Sequence, residues 1–321
     1  MTFNILVTDN LHKAGLAMLE AVDGFNIIAP GKMSRGDALA AIPEAHALII
    51  RSGTQADRAM IEAAPKLKVI CRAGVGVDNV DIAAATAHGV VVMNAPDGNS
   101  VATAELAMGL MLALARHIPQ AAASLGAGEW KRKTFSGTEL RGKTLGIVGL
   151  GRIGRHVARR AAAFDMHLIA YDPFIGADDM AALGVEKVEL EALWAQSDYI
   201  TLHTPIIEST RHMVNAKTIA MMKDGVRIVN GARGGLIDED ALAEAIKSGK
   251  VAGAAIDVYP KEPPPEDFPL LHLPQVVHTP HLGASTAEAQ ADVAKQAAQQ
   301  VIDALKQGVY NNVINRDALP G

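Results

Sequence analysis

One cysteine, few aromatic residues and no apolar run long enough to cross a bilayer set the first limits on this 321-residue chain. With Cys71 alone no internal disulfide forms, and its setting, Lys-Val-Ile-Cys, is that of a small buried hydrophobe. Aromatics make up only 4% of the residues, so Ala, Val, Leu, Ile and Met have to build the core. The longest apolar run, Leu106 to Ala115, falls short of the roughly 20 residues that a spanning helix needs. No basic stretch followed by a long apolar one opens the sequence, so no signal peptide is expected and the cytoplasm is the expected location. A large excess of one charge is missing too: 30 Lys and Arg against 35 Asp and Glu leave −5. That balance favours neither nucleic acid nor an anionic membrane as the main partner. His278 and His281 stand three apart on an extended stretch without a second acidic cluster, so no metal site is expected.

What is present is the composition of a globular protein, 49% hydrophobic and 20% charged, in a chain long enough for two domains. Short apolar runs alternate with amphipathic segments. Ile5–Thr8, Phe25–Ile28, Ala47–Arg51, Val69–Arg72 and Val90–Asn94 read as strands, with helices at Lys13–Ala21 and Arg35–Ala41. A stretch from Ser100 to about Leu125, rich in Ala, Leu and Met, reads as one long helix, buried in part against a second subunit. The alternation restarts with strands at Leu145–Val148, His167–Tyr171, Tyr199–His203, Val226–Asn230, Gly253–Val258 and Val276–His278, and Thr286–Lys306 is helical. Apolar strands separated by helices imply α/β architecture with two doubly wound parallel sheets. The expected boundaries are 1–98, 99–286 and 287–321, the last segment returning to the first domain.

Leu145-Gly-Ile-Val-Gly149-Leu-Gly151-Arg152-Ile153-Gly154 contains G-x-G-x-x-G between a strand and a helix. There Gly149 permits a tight turn, Gly151 lets the backbone approach a pyrophosphate, and Gly154 lets helix and strand pack closely. Asp172, 18 residues after Gly154, ends the next apolar run and suits the adenosine ribose. An acid there repels a 2′-phosphate, so the expected cofactor is NAD rather than NADP.

Three polar residues follow later strands: Arg233 after Val-Asn-Gly-Ala, Glu262 after Asp257-Val-Tyr-Pro-Lys, and His281 in His-Thr-Pro-His-Leu-Gly. Ligands of open α/β sheets bind beyond the C-terminal strand ends. Removing a hydride from a secondary alcohol needs a base for the hydroxyl proton, which suits His281. A carboxylate that fixes its tautomer suits Glu262, and a cation that grips the substrate carboxylate suits Arg233. Taken singly, each also fits a plainer role: a satisfied strand-end histidine, a loop acid beside prolines, a surface arginine.

These segments, Ala-Arg233-Gly-Gly, Asp257-Val-x-x-x-Glu262-Pro and Pro-His281-Leu-Gly-Ala-Ser-Thr, resemble the Arg, Glu and His signatures of the D-isomer-specific 2-hydroxy acid dehydrogenase family. The resemblance runs from about Ile5 to Asn312. It implies a Rossmann NAD domain inserted in a flavodoxin-like substrate domain, with the active site between them. Arg51-Ser-Gly-Thr, Arg72-Ala-Gly-Val-Gly-Val-Asp-Asn, Asn94-Ala-Pro-Asp-Gly-Asn-Ser100 and Gly128-Glu-Trp130-Lys-Arg132-Lys are similar to the phosphoglycerate-oxidising branch. For this chain the likeness implies NAD-linked oxidation of D-3-phosphoglycerate to 3-phosphohydroxypyruvate, the step that leads to serine. Thr204, Pro205, Ala232, Asp257 and Gly283 join the expected cofactor contacts. Backbone amides at Ala73, Gly74 and Val75 are expected to hold the substrate carboxylate, with Asn99 and Ser100 near the substrate. Arg51, Arg72 and, from a neighbouring subunit of a homodimer joined through the NAD domain, Arg132 are expected on the phosphate. Val75 departs from the family pattern, standing where a small hydroxylated residue is usual. Longer family members carry a regulatory region after the last helix, whereas this sequence ends at Pro320-Gly321.

Two other readings stay open on sequence. One is a dehydrogenase of another small D-2-hydroxy acid, glycerate with hydroxypyruvate or sulfolactate, since a cationic pocket does not separate sulfonate from phosphate by charge sign. The other is a binding protein that senses NAD without turning it over.

Overall fold

The structure is a computed structural model that describes residues 2–320. The chain divides into two compact units, Met1–Ser100 with Ala284–Gly321, and Val101–Gly283. The first contains strands β1 (Phe3–Val7), β2 (Phe25–Ile28), β3 (Ala47–Ile50), β4 (Val69–Arg72) and β5 (Val91–Asn94). They form one parallel sheet in the order β2-β1-β3-β4-β5, with the direction of winding reversing between β1 and β3. Most strand positions are apolar because both faces are covered; the polar exceptions are Asn4 and Asn26 on the β1–β2 side and Arg72 and Asn94 at C-terminal strand ends. Along β3, Ala47 and Ile49 enter one core while Leu48 and Ile50 enter the other, as the two-residue pleat requires.

Helix Ala287–Gln307 seals one face of this sheet. Ala294, Ala297, Ala298, Val301 and Ala304 recur at helical spacing and are buried with Ile5, Val7 and Ile49. Small residues let it lie close to helix Lys13–Glu20. A Cβ on Gly15 would stand 2.6 Å from the Ala294 carbonyl oxygen, so any larger residue at 15 would force the helices apart.

The second unit contains β6 (Thr144–Val148), β7 (His167–Tyr171), β8 (Glu186–Lys187), β9 (Tyr199–Leu202), β10 (Val226–Asn230), β11 (Val251–Ile256) and β12 (Val276–His278). All are parallel, in the order β12-β11-β10-β9-β6-β7-β8, and the winding reverses between β6 and β9. The two-residue β8 is polar and forms the sheet edge, which is why apolar patterning gives no sign of it.

The single helix expected over Ser100–Leu125 is two, Ser100–Arg116 and Ile118–Gly126, bent by 63°. Pro119 is the cause. It has no N–H for the Ala115 carbonyl four residues earlier, and its ring would clash there in a continuous helix. His117 turns to φ 52 at the break, Pro119 falls in the first turn of the new helix, and the Thr138 N–H donates to the abandoned Ala115 oxygen at 2.9 Å. Among the described residues no single helix is long and apolar enough to cross a membrane.

Candidate active site

In the second unit the candidate residues follow one another along the C-terminal edge of the sheet. Asp172 ends β7, the glycine loop ends β6, and Thr204-Pro205 follow β9. Ala232 and Arg233 follow β10, Asp257 and Glu262 follow β11, and His281 and Gly283 follow β12. The glycine loop and the β9 end flank the point where winding reverses, the place where parallel α/β sheets leave a crevice. At about 4.8 Å per strand, the three steps from β7 to β10 span about 14 Å, enough for an extended dinucleotide.

The loop itself is shaped by close approach. Gly149 has φ 90, and a Cβ there would lie 2.7 Å from the His203 carbonyl oxygen, so the β6 turn packs directly on the end of β9. A Cβ on Gly154 would reach the Gly149 carbonyl oxygen at 2.2 Å. Gly151 differs: its missing Cβ points into open space at the start of helix Arg152–Ala162, which leaves room for a ligand at the amide end of that helix. Ile153 and Arg152 occupy the first turn. The Asp172 carboxylate is buried and already oriented. Oδ2 accepts from the Leu150 N–H and Oδ1 from the Phe174 N–H, each at 2.9 Å, so each oxygen keeps acceptor capacity for a ribose hydroxyl. These features fit NAD, which when bound supplies the hydride acceptor.

His281 and Glu262 meet. His281 Nδ1 lies 2.7 Å from Glu262 Oε2, and Oε1 of the same carboxylate accepts from the Tyr259 N–H at 3.2 Å. A carboxylate on Nδ1 keeps a proton there and leaves Nε2 as the basic nitrogen. The turn bearing His281, itself at φ 55, is fastened by Asp257. That carboxylate is fully buried and accepts from Thr279 Oγ1 (2.6 Å), the Leu282 N–H (2.7 Å) and the Gly283 N–H (3.0 Å). Thr103 Oγ1 takes the Gly283 carbonyl at 3.0 Å. Asp257 and Gly283 thus brace the histidine turn, and of the roughly four acceptor positions on the carboxylate about one is left over. The sequence reading missed this brace; a lone acid at the end of an apolar strand was the available sign.

Arg233 projects from a turn held by Asn230, whose side chain accepts from the Ala232 N–H (3.1 Å) and donates to the Arg233 carbonyl (2.8 Å). Two glycines follow because nothing larger fits. A Cβ on Gly234 would stand 2.1 Å from the Tyr259 carbonyl carbon, which draws the arginine turn against the start of the glutamate loop. Burial without a nearby charge pushes the imidazole of His203 down to about 4. It is a neutral ring beside the glycine loop that donates to or accepts from Thr201 Oγ1 at 2.9 Å.

The expected substrate residues fall into two groups. Arg51, Arg72, Ala73, Gly74, Val75 and Asn99 belong to the first unit, at or just beyond the C-terminal ends of β3, β4 and β5. Arg132 belongs to the second, in an exposed turn after Trp130. Of the three amides expected on the carboxylate, Ala73 N–H is spent on the Ile50 carbonyl (2.8 Å) and Gly74 N–H on that of Arg72 (2.9 Å). Among the described residues the Val75 amide has no such partner. The Val75 carbonyl accepts from Asn94 Nδ2 at 2.6 Å. Gly74 has φ 154, a conformation that strains any larger residue, and a Cβ there would also stand 1.8 Å from Nη1 of Arg72. Asn99 Oδ1 is buried without a hydrogen-bond partner among the described residues. Among the described residues no group of three metal-ligating side chains forms.

The family model "D-isomer specific 2-hydroxyacid dehydrogenase, NAD binding domain" matches residues 108–283. The D-3-phosphoglycerate dehydrogenase of Methanocaldococcus jannaschii is 52% identical over 317 residues, 98% of this chain and 60% of its own length. That of Rattus norvegicus is 47% identical over 315 residues, 98% of this chain and 59% of its own length. The chain therefore spans about three fifths of these relatives. A glyoxylate reductase of Paecilomyes thermophila superposes with a TM-score of 0.87 at 34% identity, covering 98% of both chains.

Proposed function

We infer the reaction from one premise: the chain belongs to the D-isomer specific 2-hydroxyacid dehydrogenase family. We propose that it oxidises D-3-phosphoglycerate to 3-phosphohydroxypyruvate with NAD. The observation that carries the dehydrogenase reading is the His281–Glu262 pair at 2.7 Å on the same sheet edge as the glycine loop and Asp172. His281 Nε2 takes the proton of the 2-hydroxyl as hydride leaves C2, and Glu262 stabilises the imidazolium that forms. Arg233 holds the carboxylate and draws electron density from the forming carbonyl. The Val75 amide takes the second carboxylate oxygen. Arg51, Arg72 and Arg132 supply charge-assisted donors to the phosphate.

The substrate itself rests on the relatives named D-3-phosphoglycerate dehydrogenase and on those three arginines, whose charge serves no purpose toward the neutral hydroxyl of hydroxypyruvate. The test is NADH oxidation by the purified chain with 3-phosphohydroxypyruvate, hydroxypyruvate and sulfopyruvate. The phosphorylated acid should give the highest kcat/KM. A preference for either other substrate would leave the family standing and remove this assignment.

We also propose that the second unit forms a homodimer in which Arg132 serves a neighbouring site. Ile118, Leu125 and Trp130 are exposed around the bend, an apolar surface that a second copy would cover. Mixing inactive His281→Asn and Arg132→Ala chains, with subunit exchange, should restore activity through hybrids with one complete site. A fully active monomer would defeat this.

A further inference from the structure

The first unit contains a second switch point, where the segment Arg51-Ser-Gly-Thr meets the residues that follow β1. β1 and β3 are neighbours where the winding reverses, so the segments that follow them, Thr8-Asp9-Asn10 and Arg51-Ser52-Gly53-Thr54, border a crevice. Among the described residues the Arg51–Thr54 loop has no backbone hydrogen bond of its own. Two side chains from elsewhere take its backbone groups. Asp9 Oδ2 accepts from the Arg51 N–H at 2.6 Å and from the Thr54 N–H at 3.2 Å. Asn79 Nδ2 donates to the Arg51 carbonyl at 2.7 Å and to the Thr54 carbonyl at 2.6 Å. Donation to two carbonyls settles which end of the Asn79 amide is nitrogen. Thr8 Oγ1 joins Thr54 Oγ1 at 2.8 Å, and Gly53 is needed because a Cβ would lie 2.4 Å from Asp9 Oδ1.

The result is a frame around one residue. Both backbone groups of Arg51 are fixed, while among the described residues its guanidinium uses one bond, Nη1 to the Asn10 carbonyl at 3.2 Å. That leaves most of its five N–H donors for a ligand. Asp9 is 7% exposed, and a carboxylate so buried is costly unless donors reach it; here Oδ2 takes two backbone N–H groups. Asn79 adds a second tie. It lies on the segment that continues from the Ala73–Val75 turn, and its own carbonyl accepts from the Ala56 N–H at 2.9 Å. The arginine loop and the carboxylate turn are therefore stitched to each other through one side chain.

We propose that Asp9 and Asn79 are positioning residues that set the Arg51 guanidinium against the Ala73–Val75 turn, so that the chain selects a 2-oxo acid carrying a second oxyanion. This rests on the substrate reading above. Neither residue touches substrate; each acts through Arg51. Separating the two substrate ends is then a matter of protein geometry, and loosening the frame should blur selectivity before it slows the hydride step.

The test is a double-mutant cycle of Asn79→Ala with Arg51→Ala, measured with NADH and both 3-phosphohydroxypyruvate and hydroxypyruvate. Asn79→Ala should lower the ratio of the two kcat/KM values by roughly tenfold, mainly through KM for the phosphorylated acid, as expected for one weakened charge-assisted contact. The double variant should match Arg51→Ala to within about twofold, because the same contact is lost once. NADH binding by fluorescence and the melting temperature report on intact folding. Asp9→Ala, which removes the oxygen that accepts from both the Arg51 and Thr54 N–H groups, should shift the ratio the same way and serves if Asn79→Ala does not fold. Equal losses on both substrates, or additive effects of Asn79→Ala and Arg51→Ala, would overturn the proposal. An unmodified chain without preference for the phosphorylated acid would refute the substrate reading instead. The Asn79–Arg51 coupling in kcat/KM for the preferred acid would then still decide whether Asn79 works through Arg51.

Discussion

Both sheets put their candidate residues at C-terminal strand ends beside a reversal of winding, yet they hold them differently. The second unit relies on close backbone approach and one buried acid: Gly149, Gly154 and Gly234 admit neighbouring chain, and Asp257 ties down the turn that bears His281. The first unit relies on side chains reaching across loops: Asp9 and Asn79 around Arg51, and Asn94 on the Val75 carbonyl. A glycine-built turn leaves its residues one geometry, which suits chemistry shared by every substrate. A loop fixed by exchangeable side chains can be retuned for a particular ligand. On the functional reading, reaction rate should belong to the second unit and choice of substrate mainly to the first, with Arg132 of the second adding to the phosphate contacts.

The largest effect that would break this division is expected at His281. His281→Asn should lower kcat by about 10² to 10⁴ for every 2-oxo acid accepted, in line with loss of a general base, while NADH binding followed by fluorescence stays near its original strength. A variant that loses activity on one substrate only would show that His281 is part of selection.

Asp257→Asn sharpens the same point from behind the histidine. The amide nitrogen would face one of three donors now bound by the carboxylate, a mismatch worth about 1–3 kcal/mol. We expect kcat to fall roughly ten- to a hundredfold on all substrates, with a lower melting temperature. If only stability changed, the brace would be irrelevant to His281.

Much of the second unit was legible in the sequence because its signals are local. G-x-G-x-x-G sits within one strand-turn-helix, and Arg233, Glu262 and His281 each follow an apolar run. The helix break was legible as well, since Pro119 stands inside the apolar stretch, but the continuous Ala, Leu and Met pattern outweighed it. Asp9 left no such trace, and Asn79, although it closes the segment Arg72-Ala-Gly-Val-Gly-Val-Asp-Asn, gave no sign of what it holds. Their partners at Arg51 are 42 and 28 residues away, and no periodicity marks a side chain that bonds a distant backbone. The spent amides of Ala73 and Gly74 were hidden for the same reason, because hydrogen-bond use is decided by the turn and not by residue type.

The smallest expected effect concerns acid stability. Burial holds the His203 imidazole at about 4 in the fold against an ordinary 6.5. The unfolded chain therefore binds a proton that the fold refuses, so this contribution is intact above about 6.5 and is lost as pH falls toward 4. The melting temperature should decline over that window, and His203→Gln should decline less steeply. Parallel curves for the two proteins would place the acid-sensitive group elsewhere.

The division between units is tested most directly by one ratio, kcat/KM for 3-phosphohydroxypyruvate over that for hydroxypyruvate, measured in the unmodified chain, Glu262→Gln and Arg72→Ala. Glu262→Gln should slow both substrates and leave the ratio within about twofold, because the His281 partner acts on the proton common to both. Arg72→Ala should lower the ratio roughly ten- to a hundredfold, the value of one charge-assisted phosphate contact. A ratio that collapses in Glu262→Gln, or survives Arg72→Ala, would contradict the account.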